Sequence, residues 1–491
     1  MKKIFMIIFI YLAMPAPPAF ADAVGDVHQF FQKNHDTQGY ESVSARCRNI
    51  SAHAALYVDT NIGSDKTAED QLTAFFETQV VPAIRDKYGD PPDVDKDSLE
   101  VLLFTRVTDS SNVYKAFFDQ VNEHDPAEAG YSNSNQREII YIDYDYFVHQ
   151  SDETKRQIGA AYVEMVAWNY CPDKMQFLVQ GLAQYSCLVV QEGYPISFLQ
   201  AYSNTCTSLF SSRITREFLG KCFLFMKYLK DNFDPQGTLL KTLTQTKEKS
   251  GRTAIESALG KKFDDLYLSF SQLIFTKAND YFQKCCAVSY FDFPIQTTEI
   301  LLKSYEPIGI RMSPFWPDCS LFLENFTGKS SELRGRMLFF RNDVLYSYAD
   351  IQYDGGAQFS PPFDFQANET VLILMNCPEQ EADADRTLKI LVSFSEHEFT
   401  YLSNPILREQ IFLFFKVRDQ LSGLSLTDPA GTVSSYQLTS LDAATYYSAF
   451  TAIAAGRYIA TVAGEDANHN PISRSYQILV GADELDSNQI Y

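Results

Sequence analysis

The period of the apolar positions changes twice along the chain. Ala68 to Lys87 (AEDQLTAFFETQVVPAIRDK) spaces its apolar residues near helical intervals, whereas Ser98 to Val107 (SLEVLLFTRV) and Glu138 to Ile142 (EIIYI) are short runs that read as buried strands. A sheet flanked by helices is therefore expected over residues 22 to about 150. From Asp152 to about Phe282 the segments KRQIGAAYVEMVAWNY, MQFLVQGLAQYSCLVVQE, TREFLGKCFLFMKYLKDNF and FDDLYLSFSQLIFTKANDYF are each apolar at i, i+3, i+4 spacing, which predicts a helical packet. After Cys286 come short alternating runs, among them Glu299 to Leu302, Met337 to Phe340 and Thr370 to Met375, separated by Pro, Gly, Asn and Asp. They predict a β-sandwich, and Tyr401 to Val480 repeats the pattern with Gly-rich turns as a small immunoglobulin-like module. The expected fold class is α+β: a domain over 22–286, all-β domains over 287–398 and 399–482, and a polar tail over 483–491.

The N-terminus adds a compartment. Lys2 and Lys3 precede an apolar run from Ile4 to Met14, closed by Pro15, Pro17 and Pro18 and followed by small residues at Ala19, Ala21 and Ala23. This pattern predicts a secretory signal peptide over 1–21, cut after Ala21, and export to a periplasm or the exterior. No later run is apolar enough to suggest a membrane span. The 41 Lys+Arg against 62 Asp+Glu give a formal charge of -21, which argues against a nucleic-acid partner. Nine cysteines in an exported chain permit disulfides, but the number is odd, so at least one thiol stays free or pairs between chains. Adjacent Cys285 and Cys286 read as one buried thiol and one disulfide partner.

Seven segments follow one another along the chain: ARCRNISAHAALYVD (Ala45 to Asp59), DVDKDSLEVLLF (Asp93 to Phe104), AGYSNSNQREIIYIDYDYF (Ala129 to Phe147), GAAYVEMVAWNY (Gly159 to Tyr170), FLVQGLAQY (Phe177 to Tyr185), FLGKCFLFMKYL (Phe218 to Leu229) and ALGKKFDDLYLSF (Ala258 to Phe270). Together they resemble the hyicolysin-type secreted zinc metallopeptidases and their gluzincin relatives. The resemblance implies a gluzincin-like domain over 22–286, a mixed sheet followed by a helical half. In that family the central helix carries HExxH, and a Glu within a segment like NEGLAEY supplies the third zinc ligand. This chain departs from the pattern at every ligand. One alignment puts Tyr162 and Val166 at the His positions and Val163 at the Glu; a one-residue shift puts Val163 and Ala167 at the His positions and keeps Glu164. Gln180 stands at the third ligand and Gln184 at the acid after it. The seven histidines are His28, His35, His53, His124, His149, His397 and His469, so none lies between 150 and 396. Zinc lowers the pKa of its bound water from about 15.7 to ~7, on the order of 12 kcal/mol of nucleophile activation with no replacement here. The expectation is a vestigial cleft formed by Tyr162, Val163, Glu164, Val166, Ala167, Gln180 and Gln184, without zinc and without peptide hydrolysis by the family's mechanism.

Other signals are fainter. Asp93, Asp95 and Asp97 have calcium-loop spacing but lack Gly at the sixth position (Ser98) and Glu at the twelfth (Phe104), so a solvated turn is the plain reading and a structural calcium the alternative. Asp466, Asn468 and Asn470 read as a turn cluster. No GxSxG elbow, GxGxxG or GxxxxGKS run is present. The leading expectation is a non-catalytic binding module for an extracytoplasmic protein or glycan. The alternatives are a hydrolase in which another constellation, with Glu164 as general base, does the chemistry, and an architectural spacer at the surface or in the periplasm.

Overall fold

The computed structural model describes residues 22–276, apart from 64, 150, 205 and 206, and residues 298–480, apart from 313–318, 325, 342–343, 354–357, 360–368, 383, 395–398, 404–405, 408–409, 418–420, 441–444, 452–453, 455 and 466–470. The expected signal peptide, Cys285 and Cys286, the turn cluster at 466–470 and every expected domain boundary lie outside the described residues. The chain is mixed α+β and divides into two compact units: of the described residues, the first takes those up to 270 and 380–382, and the second takes 271–276, 298–379 and 384–480. Among the described residues no helix is long and apolar enough to cross a membrane.

The first unit opens with a curled six-stranded sheet, in the order β1 (Val27–Lys33), β2 (Tyr40–Ile50), β3 (Ala54–Asp59), β4 (Glu100–Thr105), β6 (Ile139–Asp143), β5 (Ala116–Phe118). The pairs β3–β4 and β4–β6 are parallel and the rest antiparallel. Every residue of β3, β4 and β6 is buried, the pattern of parallel strands covered on both faces. One face packs Tyr57, Val101, Leu103, Ile139 and Tyr141 with Phe30 and Phe117. The predicted helix over 68–87 forms as α1 (Lys66–Phe75) and α2 (Val81–Lys87), joined by a π-helical turn, Phe76–Val80. Pro82 has no N–H to donate to the preceding turn, which accounts for the break.

The helical half comprises α3 (Tyr144–His149), α4 (Ser151–Tyr170), α5 (Gln176–Val189), α6 (Ile196–Asn204), α7 (Arg216–Phe233), α8 (Leu239–Gln245), α9 (Gly251–Leu259) and α10 (Phe263–Phe275). Helices α4, α5 and α7 pack in succession, with α6 also against α7. Close approach is set by glycine: a Cβ on Gly220 of α7 would collide with the Phe198 carbonyl of α6. Gly220→Ala is therefore expected to cost about 1–3 kcal/mol, because the obstacle is backbone and cannot swing away. A denaturant midpoint indistinguishable from the parent would contradict this packing.

In the second unit, residues 298–394 form two antiparallel four-stranded sheets. One runs Val344–Gln352, Leu333–Arg341, Glu369–Asn376, Ile308–Met312; the other runs Gln358–Phe359, Cys319–Glu324, Arg386–Phe394, Thr298–Leu302. The chain alternates between them, and both bury apolar residues completely: Ile310, Leu338 and Leu372 in one, Leu302, Leu323 and Leu388 in the other. Residues 399–480 form a further five-stranded and a further four-stranded sheet.

Candidate functional site

Helix α4 has two hollows within reach of its side chains. On one side Tyr162, fully buried, donates its hydroxyl to Glu100 Oε1 at 2.8 Å, and Arg85 Nη2 reaches the same oxygen at 2.9 Å. Glu100 and Arg85 line a hollow of about 430 Å³ together with Asp90, Asp93 and Glu138. Tyr162 is thus committed to a buried acid and does not line the second hollow. Val163, Val166 and Ala167 have no exposed surface and belong to the core.

Glu164 lines the second hollow, a cavity of about 220 Å³. Its walls are aromatic, from Tyr114, Phe117, Phe118 and Trp168, and its polar groups are Glu164, Asp119, His35, Lys33, Lys174, Gln120 and Gln176. Burial pushes the Glu164 carboxyl up to about 7, against a hydrogen bond from Gln180 that favours its charged form. Gln180 itself is 2% exposed, and Gln184 is buried one turn further along α5. Of the seven expected cleft residues, Glu164 lines the cavity, Gln180 is hydrogen-bonded to Glu164 without lining it, and Tyr162 goes elsewhere. Gln180→Leu should move the Glu164 titration upward, since it removes the one bond that favours the carboxylate. Carboxyl-carbon NMR of labelled protein reads this directly, and a downward shift would contradict the pairing.

Three cavity residues carry no local sequence signal. His35 follows β1, stacks on Tyr114 with ring centroids 4.0 Å apart and meets Phe117 edge-on at 4.5 Å. Burial lowers its pKa to about 4 in spite of Asp109, so the ring is neutral at ordinary pH, and its Nε2 has no hydrogen-bond partner. Asp119, just after β5, accepts the Tyr40 hydroxyl at 2.9 Å. Tyr114 is positioned by Asp109, whose Oδ2 accepts the Val113 and Tyr114 N–H groups at 2.7 Å each. Buried Gln157 of α4 fastens this wall to the helix: Oε1 accepts Lys115 N at 2.6 Å and Ala116 N at 3.2 Å, and Nε2 donates to Val113 O at 3.1 Å. Lys174, lowered to about 8 by burial, spends its ammonium on the Leu243 and Thr244 carbonyls.

A tetrahedral zinc needs imidazole, thiolate or carboxylate donors around it. The residues at α4 do not fit: Val163 and Ala167 have no donor atom, and the Gln180 amide is paired with Glu164. Among the described residues, the grouping of three His, Cys, Asp or Glu donors close enough for one ion is Asp93, Asp95 and Asp97, away from this cavity. Cys47, Cys171, Cys187 and Cys222 are buried free thiols, and burial holds the thiols of Cys187 and Cys222 above the usual range.

No family model matches the chain, and no curated protein does. Among solved structures, a DUF4785 family protein from Legionella pneumophila is 11% identical, with a TM-score of 0.15 over 38% of this chain and 65% of its own. A β-1,2-glucanase from Parabacteroides distasonis is also 11% identical, with a TM-score of 0.18 over 40% of this chain and 34% of its own. The chain thus spans less than two thirds of either neighbour.

Proposed function

We propose that the protein is an exported, catalytically inactive relative of the gluzincin metallopeptidases whose Glu164 cavity binds one residue of an extracytoplasmic protein or glycan ligand, with β-sandwich modules following it. One observation carries this reading: an acid is kept over a cavity and paired with Gln180, while the two flanking positions that would hold zinc are packed into the core. At about 220 Å³ the cavity is below the ~300–1,000 Å³ of sites that enclose a whole small ligand, and it has room for a single side chain or sugar ring. Aromatic walls beside carboxylate and amide groups suit a ring that stacks on one face and hydrogen-bonds at its rim. The alternation of strands between sheets in 298–394 supports the sandwich reading.

A second reading has its own support. A carboxyl near pH 7 in a cavity is suited to general base catalysis, as a hydrolase that activates water without a metal would require. Peptide and glycan arrays probed with the parent chain, Glu164→Gln and Trp168→Ala separate the two. Binding that survives Glu164→Gln, fails in Trp168→Ala and consumes no ligand supports the binding module. Turnover abolished by Glu164→Gln establishes the hydrolase, and no retention by any variant leaves the spacer.

A further inference from the structure

The larger of the two hollows beside α4 lies at the start of the parallel strands β4 and β6. Glu100 opens β4 and Glu138 immediately precedes β6, each one residue ahead of the Val101–Ile139 pair, so the two acids are neighbours across adjacent strands. Both are 2% exposed, and both line the hollow of about 430 Å³. Like charges in such a register repel unless a cation answers them.

The cations at the hollow are already engaged. Arg85 donates from Nη2 to Glu100 Oε1 at 2.9 Å and from Nε to the Tyr162 hydroxyl at 3.1 Å, and His53 turns Nδ1 toward Glu77 Oε2 at 2.7 Å. Asp90 and Asp93, both exposed, line the hollow with the two glutamates, so four carboxyls face one guanidinium there. Tyr162 and Arg85 converge on the same oxygen of Glu100, and its Oε2, buried at the wall, has no hydrogen-bond partner. Glu138 accepts the Val94 N–H, a neutral donor. Burial holds both glutamates above the ordinary range, Glu138 at about 8. A buried carboxyl oxygen without a donor is costly, and a donor entering the hollow removes that cost. Pro91, Pro92 and Leu99 add apolar wall, against which a methylene stem can lie while its charged head meets the acids. The volume is within the ~300–1,000 Å³ of sites that enclose a small ligand.

We propose that this hollow binds an aliphatic cation, an ammonium or guanidinium at the end of a methylene stem, with Glu100 and Glu138 at the head and Asp90 and Asp93 at the rim. The excess of acid disfavours phosphates and carboxylates as ligands. Such a cation is either a free amine or the lysine or arginine side chain of a peptide. The site is separate from the Glu164 cavity and stands whether or not that cavity binds a ligand.

The test is isothermal titration of the full chain at low ionic strength with agmatine for the free cation, a short peptide with one central lysine for the side chain, and 1-pentanol as the neutral control. One equivalent of agmatine or of the peptide is expected to bind with a Kd of about 1 mM or tighter, and the tighter of the two identifies the source. Glu138→Gln should weaken binding at least tenfold with the far-UV circular dichroism unchanged, because the amide oxygen still accepts the Val94 N–H while the charge is gone. Asp90→Asn, at the exposed rim, should weaken it less and reduce its salt dependence. No binding of either cation would overturn the proposal, as would pentanol binding as tightly as agmatine or an unchanged Kd in Glu138→Gln. Should Glu138→Gln fail to fold, Asp90→Asn carries the test, and an unchanged Kd and salt dependence there would overturn it.

Discussion

Arg137→Met is expected to destabilise the first unit by about 3–5 kcal/mol at pH 7 in chelator, because it strands several buried carboxylates without their cation. The Arg137 side chain is 8% exposed and that of Asp22 fully buried. Its guanidinium spans Asp22 at 2.6 and 3.0 Å, Asp95 at 3.0 Å and Asp97 at 3.0 Å. Desolvation alone would raise the Asp22 pKa, yet the bonds from Arg137 and Tyr57 hold it below the usual value. The sign follows. A depressed native pKa contributes stability above the unfolded value near 3.8 and loses it as pH falls through the native one. The penalty of Arg137→Met should therefore shrink toward pH 4, where stranded carboxyls can take up protons. Arg137→Lys should recover part of the loss, since a point charge cannot reproduce the fork. Denaturant midpoints at pH 7 and pH 4 check this, and equal penalties at both would contradict it.

Glu164→Gln is expected to raise stability at pH 8 and leave it unchanged at pH 4. The native carboxyl titrates near 7 against an ordinary value of 4.5, so between these values the folded chain holds a proton that the unfolded chain has released. Stability therefore falls as pH rises through that window and levels off above it. At ~1.36 kcal/mol per decade the gap sets a ceiling of about 3 kcal/mol, and water in the cavity reduces the expected gain to about 2 kcal/mol. Trp168 lines the same cavity, and in a Trp316→Phe background it is the sole indole reporter of unfolding. A variant that keeps the parent's slope between pH 4.5 and 7 would show that Glu164 is not the titrating group.

The elements legible in the sequence are those that bury one continuous face. The run SLEVLLFTRV contains β4, EIIYI overlaps β6 by all but one residue, and the helical segments match α4, α5 and α7 within a few residues. Strand β1 was hidden because an inward position is polar: buried Gln32 accepts the Thr105 hydroxyl at 2.6 Å and donates to Arg106 O at 2.8 Å, which breaks the expected alternation. The choice between the two alignments of α4 was equally illegible, because Tyr162 and Glu164 are neighbours on one helix. Long-range partners separate them, with Glu100 and Arg85 taking one and Gln180 the other. His35, Tyr114 and Asp119 reach Glu164 only because the turn after β1 and the loop around β5 come together at α4, fastened there by Gln157. No spacing along the chain encodes that meeting.

The claim beneath the functional reading is that α4 keeps its acid over a cavity but has no donor set for a catalytic metal. The zinc content of the purified full chain, dialysed against metal-free buffer and measured by elemental analysis, tests it most directly. The account predicts no stoichiometric zinc, and one tightly held equivalent that is lost in Glu164→Gln would contradict it.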